Sequence, residues 1–244
     1  MEGLDRALLR IARRYAGPPG TGAPDEAWER HLHELVGATW PCEARGEFEE
    51  ILSDTRDLLR AQGLEVGRGA FGGWDDADPG FARAVWCLTV HLRPQTLVET
   101  GVAKGVTTRF ILEALERSGS GHLWSIDRPP LDQSLHAQIG AAVPKHLRSR
   151  WTLLRGTSRR VLPGLLGRIG PIDLFVHDSL HTERNLRFEL SRAHGAMGTA
   201  GALAADDVER NLAFERFVEE RQVAAVVAPT DDGRSCFGVA LPTA

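Results

Sequence analysis

Cysteine is scarce in this chain of 244 residues, which has three in all. Cys42, Cys87 and Cys236 are odd in number and far apart. They offer no disulfide framework and no close zinc-motif spacing, so a reducing, cytoplasmic setting is expected. Long hydrophobic runs are also missing, and no apolar stretch reaches the length needed to span a bilayer. Charge of one sign is not in excess. The formal net charge is −4, which gives no electrostatic argument for nucleic acid or a membrane as partner. Lysine is nearly absent: only Lys104 and Lys145 are found among 29 lysines and arginines. That bias reflects genome composition rather than function. The segment MEGLDRALLRIARRYAG is amphipathic and basic, but Glu2 and Asp5 interrupt it and no cleavage site follows. It reads as a surface helix, not a targeting peptide. There is no internal repeat and no low-complexity tract.

What remains is ordinary globular composition, 42% hydrophobic and 25% charged. It is enough to bury a core without disulfides, as one α/β domain with an appendage or as two small domains. The texture changes near residue 92. Before it the chain looks helical: Leu4, Leu8, Leu9 and Ile11 form one apolar stripe, and Phe48, Ile51, Leu52, Leu58 and Leu59 another. Segments 17–24 and 66–80 are rich in Gly, Pro and Asp and read as loops. A further helix is expected from Pro79 to Leu92. From Gln95 strands and helices alternate. Strands are expected at 96–100, 122–126, 151–155, 172–177 and 202–205, and helices at 105–117, 131–141, 158–167, 182–196 and 209–220. A final antiparallel hairpin is expected from AAVVA (224–228), a turn, and SCFGVALP. The alternation predicts a mostly parallel, Rossmann-like sheet with helices on both faces. The expected division is a helical cap or lid over 1–92 and a ligand-binding α/β domain over 93–244.

LVETGVAKGVTTRFILEAL (97–115) reads as strand, glycine-bearing turn and helix. Gly101 and Gly105 remove side chains where a ligand must approach backbone, and the helix start presents free N–H groups. Glu99, at the strand end, can accept hydrogen bonds from a ligand. The turn lacks the full G-x-G-x-x-G of dinucleotide folds. A tight turn without a ligand is the plain alternative. The next strand ends at Asp127, where nucleotide-binding sheets place a ribose-binding acid.

Glu99, Gly101, Gly105 and Asp127 together make the chain resemble class I S-adenosylmethionine-dependent methyltransferases, over roughly residues 93–243. It is most similar to the catechol O-methyltransferase-like group and to bacterial natural-product O-methyltransferases, including the macrolide-sugar type. The resemblance implies a seven-stranded sheet and a glycine turn that holds the methionine part of S-adenosylmethionine. It further implies that Asp127 holds the ribose and that Gly156, Thr157 and Ser158 lie beside the adenine. The central glycine of the common E-x-G-x-G-x-G pattern is Ala103 here, a departure that also occurs in the metal-dependent group.

HDSLHT (177–182) and AADDVERN (204–211) place Asp178 at the end of the fourth expected strand, and Asp206 and Asp207 at the end of the fifth. Adjacent strand ends face one crevice, and converging carboxylates require a cation or protons. Oxygen ligands suit Mg²⁺, Mn²⁺ or Ca²⁺. Helix capping, or pairing with Arg184 and Arg210, is the alternative. The separation of Asp178 and Asp206 resembles the metal site of the catechol and macrolide-sugar enzymes. In the catechol enzymes a basic lysine follows the first metal aspartate by three residues. His181 stands there, which implies a general base, whereas His177 reads as structural. Trp40 beside Pro41, and Trp74 with Asp75 and Asp76, are candidates for a lid, with core packing as the alternative. Asn211 reads as part of a solvated polar face, with a reach into the crevice as the alternative.

The expectation is therefore metal-dependent methylation of a small molecule bearing neighbouring oxygens, a natural-product sugar or a catechol-like compound. The rivals are a nicotinamide-dependent oxidoreductase, which would leave the strand-end acids unexplained, and a non-catalytic cofactor-binding module. A homo-oligomer is compatible with the sequence, which does not set the oligomeric state.

Overall fold

The computed structural model describes residues 20, 23–67, 69–73 and 78–242. The stripe from Leu4 to Ile11, and Trp74, Asp75 and Asp76, lie outside the described residues.

Three helices come first: α1 (Trp28–Leu35), α2 (Arg45–Ala61) and α3 (Pro79–Leu92). The start of α3 is fixed locally. Asp78 accepts from the N–H groups of Gly80 and Phe81, and Pro79 stands where no donor is needed. The alternating part follows as β1 (Thr96–Thr100), α4 (Val106–Ser118), β2 (His122–Asp127), β3 (Trp151–Arg155), α5 (Ser158–Ile169), β4 (Ile172–His177), α6 (Glu183–His194), β5 (Met197–Ala205), α7 (Ala213–Arg221), β6 (Ala224–Pro229) and β7 (Cys236–Leu241).

The strand order is β3-β2-β1-β4-β5-β7-β6. β7 runs antiparallel to both β5 and β6, and the remaining pairs are parallel. This is the seven-stranded, Rossmann-like sheet expected from the sequence, with its antiparallel ending. Successive residues of the central strands face opposite cores. Leu97, Leu174, Val176, Ala202 and Ala204 join one, and Val98, Phe175, Leu203 and Ala205 the other. Both faces are covered, which is why these strands read as continuous apolar runs. Helices α1 to α3 share the first core through Trp28, Leu32, Phe48, Leu59, Phe81 and Trp86. The described part of 1–92 is therefore packed onto the sheet along with α4.

Three elements differ from the sequence reading by more than two residues. Residues 131–141 form a short 3₁₀ helix, Gln133–Gln138, and no α-helix. Pro129 and Pro130 precede it and Gly140, at φ +71°, follows, so the backbone cannot continue an α-helical ladder. The 209–220 helix is split. A 3₁₀ turn at Val208–Arg210 is followed by Asn211 in extended conformation, and α7 begins at Ala213. β5 starts five residues earlier than its apolar run, through the glycine-bearing MGTAG.

Candidate active site

The order places β1 between β2 and β4, so connections leave the middle of the sheet in opposite directions. The crevice at such a reversal lies at the carboxyl ends of the strands. Four strand ends are tied level there. Gly101 donates to the carbonyl of Ile126, Asp178 to that of Thr100, and Asp206 to that of His177, at 2.8–2.9 Å.

Gly101 is required by contact as well as by conformation. At φ +87° an added Cβ would lie 1.8 Å from the carbonyl oxygen of Asp178. Gly105, at φ +82°, would bring a Cβ to 3.0 Å from the Cα of Gly140. Ala103 also adopts a left-handed conformation, at φ 47°, one that glycine would take without a Cβ penalty. Glu99 is fully buried. Its Oε2 accepts from Thr108 and Ser125 at 2.8 and 2.6 Å, and its Oε1 has no partner. Burial pushes its pKa up to about 8 despite these two hydroxyls. Asp127 is likewise raised, to about 6, chiefly by burial, and its Oδ2 is unpartnered. Gly156 donates to the carbonyl of Asp127 at 2.9 Å, so 156–158 adjoin that strand end. Thr157 is exposed, while the Ser158 hydroxyl turns to Asn185 Oδ1 at 3.4 Å.

The acids of β4 and β5 converge in part. Asp178, His181 and Asp206 present ligand atoms within 4.8 Å of one another. Asp206 Oδ1 and His181 Nε2 are buried without a hydrogen-bond partner. Burial, then the charges of Asp178 and Asp207, raise the pKa of Asp206 well above the usual carboxylate value. Asp207 departs from the expected role. Its Oδ2 is engaged by His181 Nδ1 at 2.5 Å and by Arg210 at 3.1 Å. With that oxygen spent on two cationic or donor groups, Asp207 orients the imidazole and stands outside the trio of converging groups. Asn211 is also not solvated: it is fully buried, accepts from the N–H of Ala213, and donates to the carbonyl of His181 at 3.5 Å.

Two residues of this region were not singled out from the sequence. Glu189, in the apolar stripe of α6, accepts from Thr100 at 2.6 Å, Ser179 at 3.0 Å and Asn185 at 2.8 Å, and its other contact is His177 Nδ1 at 2.6 Å. Burial alone would raise it, but His177, with the hydroxyls of Ser158 and Thr100, brings it down to about 2. It ties the ends of β1 and β4 to α6 from below, and His177 is structural in this sense. Lys104, inside the glycine turn, is buried and donates to the carbonyl of Ala70 at 2.8 Å, which fastens the 69–73 segment beside the turn. Trp40 packs its ring on His33, 5.1 Å between centroids, and is partly exposed.

Residues 98–208 match a family model described as a methyltransferase domain. That stretch holds the glycine turn, Asp127 and all three strand-end acids. Over these residues the chain carries a methyltransferase domain. A search of curated protein sequences finds no match. Among solved structures, a Klebsiella pneumoniae protein assigned as an O-methyltransferase superposes with a TM-score of 0.60 at 17% identity, covering 89% of this chain and 97% of that one. The Bacillus cereus O-methyltransferase in complex with S-adenosylhomocysteine gives 0.58 at 16%, over 89% and 97%. TomG of Streptomyces achromogenes, an O-methyltransferase of tomaymycin synthesis bound to S-adenosylmethionine, gives 0.58 at 15%, over 89% and 96%. At these identities the likeness establishes the fold. No described helix is long and apolar enough to cross a membrane.

Proposed function

We propose that this methyltransferase is an O-methyltransferase that holds S-adenosylmethionine on the turn after β1 and binds its acceptor through a divalent cation. One observation carries the reading. At the strand ends flanking the sheet reversal, buried polar atoms of two neighbouring groups lack partners: Glu99 Oε1 and Asp127 Oδ2 on one side, Asp206 Oδ1 and His181 Nε2 on the other. Each unpaired buried polar atom costs on the order of 1–3 kcal/mol unless a ligand completes it. The first pair fits the amino and ribose hydroxyl donors of the nucleoside cofactor, with Gly101 and Gly105 opening the backbone to it. On the second side Asp206 Oδ1 fits a cation, Mg²⁺ or Mn²⁺, with Asp178 as the other acid ligand, and His181 Nε2 is left for the acceptor hydroxyl. When bound, such an ion supplies chelation of two neighbouring substrate oxygens and lowers the pKa of one hydroxyl. The acceptor class is then a small molecule with vicinal oxygens, a sugar diol or a catechol-like ring. TomG, with its part in a natural-product synthesis, lends support to tailoring chemistry.

Within this reading His181 takes the proton of the acceptor hydroxyl. Asp207 fixes Nδ1, so Nε2 is the free nitrogen on the side of Asp178, 3.6 Å away. Burial opposes charge on this ring, but Asp207, Asp178 and Asp206 outweigh it and raise the pKa of His181 well above the usual imidazole value. A protonated ring cannot accept a proton. The base function therefore requires that the charge of Asp178 and Asp206 be compensated, which links proton transfer to occupancy of the cluster.

The test is calorimetry with S-adenosylhomocysteine, followed by turnover of a panel of vicinal diols and catechols with and without EDTA. Expected results are cofactor binding that raises the melting temperature by mass action, and activity lost with EDTA and restored by Mg²⁺ or Mn²⁺. Binding of NADH without binding of the methyl-donor product would overturn the cofactor assignment. Full turnover in a metal-stripped sample would overturn the cation and leave methyl transfer standing.

A further inference from the structure

A second cluster of metal-ligating groups lies away from the strand ends, among the N-terminal helices. His33 on α1, Cys42 in the segment before α2 and Cys87 on α3 present ligand atoms within 4.8 Å of one another. All three are buried, with relative exposures of 0%, 8% and 3%. His91 stands one turn after Cys87, at i+4 on the same face of α3. Its Nε2 lies 3.5 Å from Cys42 Sγ. We propose that His33, Cys42, Cys87 and His91 form a structural zinc site.

Three features of the geometry carry this. The first is edge length. With zinc–sulfur bonds of about 2.3 Å and zinc–nitrogen bonds of about 2.0–2.1 Å, a tetrahedron has sulfur–sulfur edges of about 3.8 Å and sulfur–nitrogen edges of about 3.6 Å. The two thiols are 3.9 Å apart, and the thiol–imidazole pair 3.5 Å. The second is an unpaired nitrogen. His33 Nδ1 is hydrogen-bonded to the carbonyl of Glu29 at 2.6 Å. A carbonyl can only accept, so Nδ1 carries the proton, and Nε2 of the neutral ring is left as a lone-pair donor. That atom is buried and has no partner. A ring N–H held by a backbone carbonyl is the usual support of a metal-bound histidine. The third is charge. Two thiolates and Zn²⁺ sum to zero, and two neutral imidazoles leave that unchanged, so the complete site places no net charge in the apolar core around Trp86 and Phe48. The four residues come from α1, the segment after it and α3. A bound ion would clamp α1 and the Trp40 segment to the helix that lies on the sheet.

The experiment uses the full wild-type chain, expressed with added zinc and purified without chelator. Elemental analysis is expected to give one zinc per chain, retained in Asp206→Asn, which separates this site from the carboxylate cluster. Cobalt in place of zinc should produce sulfur-to-cobalt charge-transfer absorption in the near ultraviolet, at one equivalent per chain. A mercurial that blocks thiols should release the zinc stoichiometrically, whereas an alkylating reagent applied without it should modify Cys236 alone and leave the zinc bound. Cys87→Ser should lose at least half of the charge-transfer intensity. His91→Asn should keep the absorption but weaken competition with a chromophoric chelator at least tenfold. The wild-type readouts stand even where a cysteine variant fails to fold. Absence of charge-transfer absorption with saturating cobalt would overturn the proposal. So would recovery of Cys42 and Cys87 as a disulfide, or as freely alkylated thiols, from zinc-supplied protein.

Discussion

Glu99→Gln isolates the charge of one buried carboxyl, and its effects on stability and on binding should have opposite signs. Burial pushes Glu99 up to about 8 from an ordinary 4.5. The folded chain therefore keeps a proton that the unfolded chain has released. Stability from this group is complete below pH 4.5 and is lost as the pH rises through 8. At about 1.4 kcal/mol per pH unit, the interval from 4.5 to 8 is worth about 5 kcal/mol. Glutamine reproduces the protonated form. It offers a carbonyl oxygen to Thr108 and Ser125 and an amide where Oε1 has no partner. Denaturant unfolding at a series of pH values, for wild type and variant together, reads the difference. Asp127, Asp206 and His181 titrate in both proteins, so to first order their contributions cancel. The curves should nearly coincide near pH 5, and the variant should be more stable by about 4 kcal/mol near pH 9. In the same variant, affinity for S-adenosylhomocysteine should fall by about 1–3 kcal/mol, because an amide cannot accept the hydrogen bond that Oε1 would take from the ligand. Parallel stability curves would refute the burial argument. Undiminished affinity would remove Glu99 from the cofactor site.

Gly101→Ala must push the turn off the carbonyl of Asp178, in a backbone conformation that L-residues resist. A loss of about 3 kcal/mol or more is expected by denaturation, together with loss of cofactor binding; a fully folded variant with intact affinity would contradict the close approach. Glu189→Gln turns one acceptor oxygen of a buried hydrogen-bond cluster into a donor and should cost on the order of 1–3 kcal/mol. In wild type the Glu189 contribution is present above pH 4.5 and lost as the pH falls toward 2. Acid unfolding followed by circular dichroism should therefore be less steep in the variant, and an unchanged profile would count against the pair. His181→Ala should lower kcat about 10²–10⁴-fold at saturating metal and cofactor, and Asp207→Asn should lower it by a smaller factor with little change in KM. Near-wild-type kcat in His181→Ala would leave the ring only a structural or ligand role.

The sheet was legible because its strands are buried on both faces. IDLFVH and TLVET are apolar runs of strand length, and β1, β3, β4 and α3 have the bounds read from the sequence. Asp78-Pro79 announced α3 through its capping chemistry. β5 was cut short because its first residues, MGTAG, carry no apolar run, and 131–141 was misread because the flanking prolines and Gly140 were not weighed against its helical pattern. Strand-end acids were legible for a topological reason, since parallel strands bring their carboxyl ends to one edge. Asp207 was not separable from Asp206 in that way. Neighbours in sequence point apart at a strand end, and only the left-handed backbone of Asp207, φ 54°, decides which one faces the cluster. Glu189 carried a faint signal, as a charge inside the stripe of Leu186, Leu190 and Ala193. The cysteine–histidine group carried less. Forty-five positions separate Cys42 from Cys87, and nothing but packing of α1 on α3 brings them together.

Gly101 and the carbonyl of Asp178 touch backbone to backbone, so the donor side and the acceptor side of the proposed reaction form a gauge of fixed opening. Neither jaw can be widened by changing a side chain, because no side chain lies between them. A new acceptor would have to present its oxygen at that same gap, whatever the rest of it looks like. Diversity in substrate is then confined to the outer rim, in segments such as 69–73, which Lys104 reaches through the carbonyl of Ala70. In a lineage built on this chain, chemistry would stay constant while acceptor shape drifts, and the drift would be read in the loops before α3.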